Sequence, residues 1–289
     1  MLKILKPALT LLCLAVISGL AAQTKELSLP FGKTTVLSSK ILNEDRRINI
    51  LLPDDFNAQD SVQYPIIYIL DGGMAEDFFH LSGIIRFQTQ PWIAQFPNAV
   101  VVGIENTDRR RDFTFAVPNI DFIEKEGFRK SSFPRYGGSA QYMAFLENEL
   151  LPYINKTYKG NGKNTVIGES LAGLLSTEIL LTKPYMFSDY LIISPSLWWG
   201  EGALLEKASA LLDKNLKSKV RVYVGAPSKD EDIKMYQEAE ALFKILSAKN
   251  EVYCVFDYLP NETHATVIHQ AVYNAFRLLH AADGQAKQP

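Results

Sequence analysis

Apolar residues along the chain gather into short unbroken runs, separated by stretches in which they recur at helical spacing. Residues 34–39 and 47–52 have strand character, the second alternating apolar with polar before Pro53-Asp54-Asp55 breaks it. Residues 65–70 and 98–104 are continuous apolar runs, the pattern of strands buried on both faces. Residues 165–167, 190–193, 219–225 and 252–258 complete the strand series. Between the strands, residues 74–90, 139–156, 171–182, 204–216, 232–249 and 266–280 read as helices. In residues 139–156, for example, Tyr142, Phe145, Leu146 and Leu150 share one face opposite an acidic one. Strands alternating with helices predict an α/β fold, a mainly parallel sheet with helices on both faces. Neither a repeat nor a low-complexity linker interrupts it, so one domain is expected over residues 23–289.

The first 22 residues stand outside this pattern. Lys3 and Lys6 precede an apolar stretch, and Gly19-Leu20-Ala21-Ala22 offers small residues for cleavage, so residues 1–22 read as a secretory signal peptide. The apolar stretch is short for a membrane span, so the mature chain is expected to be exported, to the periplasm or the medium, with no stable membrane insertion. Removing the leader takes away two lysines and no acids from a chain of formal charge −2, which leaves no basic surface for nucleic acid. It also removes Cys13, leaving Cys254 alone in an apolar strand, where it is expected to be buried and no internal disulfide can form.

The segment Thr165-Val166-Ile167-Gly168-Glu169-Ser170-Leu171-Ala172-Gly173 carries the chemistry. A β-branched run meets a serine flanked by small residues, and a helical pattern follows. This is the arrangement of a nucleophile elbow, in which a strained strand-to-helix turn exposes a serine hydroxyl. The strict G-x-S-x-G pattern is missed, because its second glycine is Ala172 and Gly173 comes one place later. A serine needs a base, and His264 is placed for it, in the loop between the last strand and the last helix. His80, His269 and His280 fall on helices. The acid that orients the base is sought in the loop after residues 219–225, which holds Asp230, Glu231 and Asp232. Asp230 is the first choice and Glu231 the second, and a serine–histidine dyad without an acid is the alternative. For the oxyanion, backbone N–H groups are expected from Leu171, directly after the serine, and from Gly72 or Gly73, after residues 66–70.

Taken together, these stretches resemble the putative-esterase family of the α/β-hydrolases, which includes enterochelin esterase-like and esterase D-like proteins. The resemblance rests on Arg46-Arg47-Ile48, Tyr64 to Gly72, Val101 to Arg109, Arg111-Asp112-Phe113-Thr114, the elbow, Ile193 to Trp199, and Glu262-Thr263-His264. It implies an eight-stranded α/β-hydrolase core, no metal or organic cofactor, and cleavage of carboxylic esters through an acyl-serine formed on Ser170 with His264 as base. Trp198 and Trp199, just past a strand end, are candidates to stack on an acyl or alcohol group, and Arg109 to meet an anionic substrate. Residues 105–138 are long enough for a lid or substrate wall. A siderophore ester, an acylated carbohydrate or a short-chain ester fits as substrate. Acyl transfer through the same residues, or ligand binding without catalysis, is the alternative function.

Overall fold

The continuous apolar runs become the middle of an eight-stranded sheet in a computed structural model that describes residues 31–280. The predicted leader and the tail beyond His280 lie outside the described residues. The strands are β1 (Lys33–Ser39), β2 (Glu44–Leu51), β3 (Tyr64–Leu70), β4 (Val100–Ile104), β5 (Gly160–Glu169), β6 (Asp189–Ile193), β7 (Val220–Ala226) and β8 (Val252–Tyr258). Side by side they run β1-β2-β4-β3-β5-β6-β7-β8. β2 is antiparallel to both its neighbours and every other pair is parallel. Every residue of β3, β4 and β6 is buried, as a sheet covered on both sides requires.

The principal helices are α1 (Phe78–Gln88), α2 (Ser139–Phe145), α3 (Leu151–Thr157), α4 (Leu171–Thr182), α5 (Ala208–Asn215), α6 (Ile233–Ser247) and α7 (Val267–Leu279). They cover both faces: α1 packs on α7, while α4, α5 and α6 pack one against the next. α7 presents an apolar stripe of Val267, Ile268, Ala271, Val272, Ala275, Phe276 and Leu279 to the core. α4 differs, being buried all round from Leu171 to Leu181, with the Ser176 and Thr177 hydroxyls turned onto the helix's own carbonyls. A helix so buried belongs at the centre of a domain, and its first turn, with the nucleophile candidate before it, is held correspondingly firmly.

Four local expectations change. The helix predicted from residue 74 starts only at Phe78, because residues 71–77 form a turn in which Asp77 N–H donates to Asp71 O at 3.0 Å. Residues 139–157 are interrupted by a wider π turn, Leu146–Leu150, just before Pro152, whose missing N–H cannot join a regular helical ladder. β5 extends back to Gly160, its exposed polar first half carrying no apolar signal. Cys254 is half-buried rather than enclosed, because β8 is the sheet's edge.

Candidate active site

β5 ends at Glu169 and α4 begins at Leu171, so one residue makes the whole strand-to-helix turn. Ser170 does so at φ 59° and ψ −120°, a conformation strained for any residue with a Cβ. Three hydrogen bonds hold it: its N–H donates to Ile193 O at 3.1 Å, and its carbonyl accepts from Leu174 N–H at 2.9 Å and Ser196 N–H at 3.0 Å. A Cβ on Gly168 would lie 2.4 Å from Ala172 O, and one on Gly173 would lie 3.0 Å from Ile193 O. The departure from the strict motif thus has a steric reason. At this elbow the close approach to the neighbouring strand falls at Gly173, so position 172 tolerates alanine.

The structure brings His264 to this turn from the loop between β8 and α7. Its Nε2 is 3.1 Å from Ser170 Oγ. Its Nδ1 is 2.8 Å from Ser194 Oγ, not from a carboxylate. Asp230, the first choice for the acid, is exposed and donates its backbone N–H to Ser228 Oγ. Glu231 does reach His264, but its Oε2 accepts the main-chain N–H at 2.5 Å rather than the ring. Asp232 caps α6 through Met235 N–H. Ser194, part of the stretch Ile193 to Trp199 but given no role from the sequence, follows β6 at φ 40° and is tied to the sheet by its N–H to Gly225 O at 2.8 Å. Burial holds the His264 imidazole below the ordinary histidine value; Glu231 opposes this, Arg109 adds to it and Asp232 opposes it. The ring is therefore neutral near pH 7, the state a base requires.

The oxyanion candidates differ in availability. Leu171 opens α4, and a helix leaves its first N–H groups without intrahelical acceptors. The Gly72 N–H is committed to Ile104 O at 2.9 Å. The Gly73 N–H donates to Glu76 Oε2 at 2.6 Å, a glutamate three residues on, at the spacing of a capping box. That spacing was the signal for Glu76 in the sequence. Asp71, at φ 56°, receives Arg109 in a fork of 2.7 and 2.9 Å and Asn106 Nδ2 at 2.5 Å. Arg109 also donates to Glu169 O at 3.3 Å. It stands beside the elbow with its fork already filled. The Glu169 carboxyl, 3.9 Å from His264 Nε2, is pushed up to about 7, first by burial, then by Asp77 and Asp71 against the pull of Arg109.

A cavity of about 330 Å³ opens over Ser170. Residues 105–138 form one wall of it, through Arg109, Arg110, Glu126, Phe128 and Phe133, so this loop acts as a wall. Trp198 also lines the cavity, 5% exposed and stacked on Phe128 with ring centroids 5.3 Å apart. Trp199 does not. It is fully buried between Phe122 and Phe133, and its Nε1–H donates to Phe115 O at 2.9 Å. Among the described residues no group of three or more His, Cys, Asp or Glu side chains is placed to hold a metal ion. None of their helices is long and apolar enough to cross a membrane.

A comparison with known families matches residues 39–281 to the model described as Putative esterase. The chain belongs to this esterase family. Membership places it among carboxylic ester hydrolases of the α/β-hydrolase type, in agreement with the strand order. The esterase is similar to the ferri-bacillibactin esterase BesA of Bacillus subtilis (strain 168), at 28% identity over 272 residues, 89% of this chain and 92% of that one. It is also similar to a siderophore enterobactin esterase of Emericella nidulans, at 27% identity over 151 residues, which is 49% of each chain. Among solved structures, an IroE-like serine hydrolase from Shewanella oneidensis superposes with a TM-score of 0.78 at 28% identity, covering 86% of this chain and 80% of the other. The BES protein from Bacillus cereus gives 0.76 at 27% identity, covering 90% and 99%.

Proposed function

We propose that this esterase hydrolyses the ester bonds of a siderophore through an acyl-serine intermediate on Ser170. The observation that carries the reading is the 3.1 Å contact between Ser170 Oγ and His264 Nε2, both of which line the cavity of about 330 Å³. Ser170 Oγ attacks the ester carbonyl carbon as its proton passes to Nε2. The ester C–O bond then breaks, and the leaving alkoxide takes the proton from Nε2. Water attacks the acyl-serine by the same route, releasing the acid and restoring Ser170. In this reading the Leu171 N–H receives the oxyanion, and the Gly73 N–H joins it only if the oxyanion displaces the Glu76 carboxylate that it now meets at 2.6 Å. The siderophore class is supported by the names of the similar esterases and by the aromatic side of the cavity, Phe128, Phe133 and Trp198. Residues 1–22 export the chain in this reading, which N-terminal sequencing of the protein recovered outside the cytoplasm tests.

The functional test is hydrolysis of a ferric catecholate trilactone and of nitrophenyl acetate by the full chain and by Ser170→Ala. Loss of both activities by about a thousandfold or more in the variant is the expected result. Retention of activity in Ser170→Ala ends the acyl-serine reading. Cleavage of nitrophenyl acetate alone ends the siderophore assignment, and transfer of the acyl group to an added alcohol in preference to water makes the protein an acyltransferase.

A further inference from the structure

The carboxylate of a serine-hydrolase triad does two things for the histidine. Being an acceptor only, it keeps the ring proton on Nδ1, and its charge steadies the imidazolium. Here the ring meets a hydroxyl and the carboxylate meets the main chain. We infer that the two tasks are divided, with Ser194 as the positioning residue that orients the His264 ring through Nδ1 and Glu231 as the charge that acts through the loop. The inference rests on the reading of Ser170 and His264 as nucleophile and base.

The placement of Ser194 is costly and specific. It is buried, 2% exposed, and a non-glycine residue at φ 40° persists only where its surroundings fix it. β6 lies between β5 and β7, which carry Ser170 and Gly225 at their ends, and the Ser194 N–H is anchored on Gly225 O. That anchor and the left-handed turn leave Oγ 2.8 Å from Nδ1. Glu231 is placed with equal care. The loop carrying it is joined to the histidine loop by Ser228 N–H to Glu262 O at 2.9 Å and Leu259 N–H to Ala226 O at 2.8 Å. Its carboxylate then takes the His264 N–H at 2.5 Å. The other charged groups facing the histidine are Asp232, Arg109 and Glu169.

In the working tautomer Nδ1–H donates to Ser194 Oγ, and Nε2 is free to accept the Ser170 proton. As the Oγ–carbon bond forms that proton moves to Nε2, the Nδ1 proton stays in place, and Ser194 neither gains nor loses one. A hydroxyl differs from a carboxylate in one further respect. It can donate to Nδ1 instead, which puts the ring proton on Nε2 and blocks the base. Ser194 therefore aims the ring without locking its tautomer, and an acceptor-only side chain at this position would do both.

The test compares full-chain Ser194→Ala, Ser194→Asp and Glu231→Gln with the wild type, using nitrophenyl acetate across pH 5 to 9, with Ser170→Ala alongside and a thermal melt of each protein. Ser194→Ala is expected to lower kcat about tenfold at unchanged KM, the weight of one neutral hydrogen bond in the transition state. Ser194→Asp places a carboxylate on the ring and moves the acid limb of kcat/KM upward by about one pH unit or more. Glu231→Gln moves the same limb downward. A wild-type kcat in Ser194→Ala, or an acid limb unmoved by Ser194→Asp and Glu231→Gln, overturns the division of tasks while Ser170→Ala remains inactive. Should Ser194→Ala not fold, the acid limbs of the other two variants decide. Activity surviving in Ser170→Ala is the separate result that removes the underlying nucleophile reading.

Discussion

Two charged clusters flank the single helical turn Arg109–Asp112, and they are built on opposite principles. On one side Arg46 and Arg111 meet Glu44 and Asp112, two cations against two anions. Arg46 Nη2 lies 2.6 Å from Asp112 Oδ2 and 2.5 Å from Glu44 Oε1, while Arg111 Nε and Nη2 lie 2.7 and 2.6 Å from the same two residues. The Arg111 hydrogen bond, against burial, holds Glu44 below the usual carboxylate range. On the other side Asp71, Glu76, Asp77 and Glu169 gather around a single arginine, Arg109, with His80 also acting on Asp77. Here burial and mutual repulsion raise Asp77, and they take Glu169 to about 7. Arg109 and Arg111 serve different clusters because residues two apart in a helical turn face different ways. A matched cluster clamps a loop to a strand, whereas an unmatched one keeps protons in play, and the unmatched one lies beside the nucleophile candidate.

The contrast is broken most severely at Asp112, which like Arg46 is 1% exposed. Asp112→Ala leaves the Arg46 guanidinium buried with Glu44 as its remaining carboxylate, and removal of one partner from a buried pair costs about 3–5 kcal/mol. Urea unfolding is expected to show that loss, with the esterase activity of the folded fraction unchanged. A loss below about 1 kcal/mol, the range of a surface ion pair, would show that this cluster does not clamp the turn.

The unmatched cluster has the opposite signature, and Glu169→Gln reads it. The folded value of Glu169 lies above its ordinary 4.5, so the stability it contributes is complete below that pH and is lost as pH rises through about 7. The loss approaches about 3 kcal/mol in weakly alkaline solution, since a tenfold difference in proton affinity is worth about 1.4 kcal/mol. Melting temperatures of the wild type are expected to fall between pH 5 and 8.5, and those of Glu169→Gln to fall less and to be higher at pH 8.5. Parallel curves for the two proteins would mean that the carboxyl ionises freely in the fold.

The sequence disclosed those parts of the site whose residue types are unusual in their local setting. A serine with small residues two places to either side, Gly168 and Ala172, at a strand-to-helix junction is such a case, and so is a histidine in the one loop that leads from the last strand to the last helix. Each of these is set by the chain's own neighbourhood. Ser194 is not. It lies within Ile193 to Trp199, a stretch that carries the family resemblance, but nothing local gives it a role, and its partner lies seventy residues away, reached because β6 is seated between β5 and β7. Gly72 and Gly73 could not be told apart either, since the register of β3 on β4 commits the Gly72 N–H to Ile104 O. Trp198 and Trp199 present the same difficulty at its sharpest. Two identical side chains in succession point one into the cavity and one into the core, and the left-handed residues Gly200 and Glu201 that follow them give no preference from sequence alone.

The smallest expected effect tests what the wall of residues 105–138 adds beyond shape. Phe128 is 39% exposed, lines the cavity and stacks on Trp198 at 24° between ring planes. Because it is part exposed and makes its main ring contacts with Phe133 and Trp198, its removal empties little of the core. Phe128→Ala is therefore expected to change stability by about 1 kcal/mol or less, the scale of an aromatic pair. Its effect on substrate should be selective. KM for an aromatic acyl ester should rise several-fold, by about 0.5–1.5 kcal/mol of lost ring contact, while KM for an acetyl ester and kcat for both remain at wild-type values. Equal changes for the two esters would assign Phe128 to holding the wall in place, and with it Trp198, rather than to contact with the substrate.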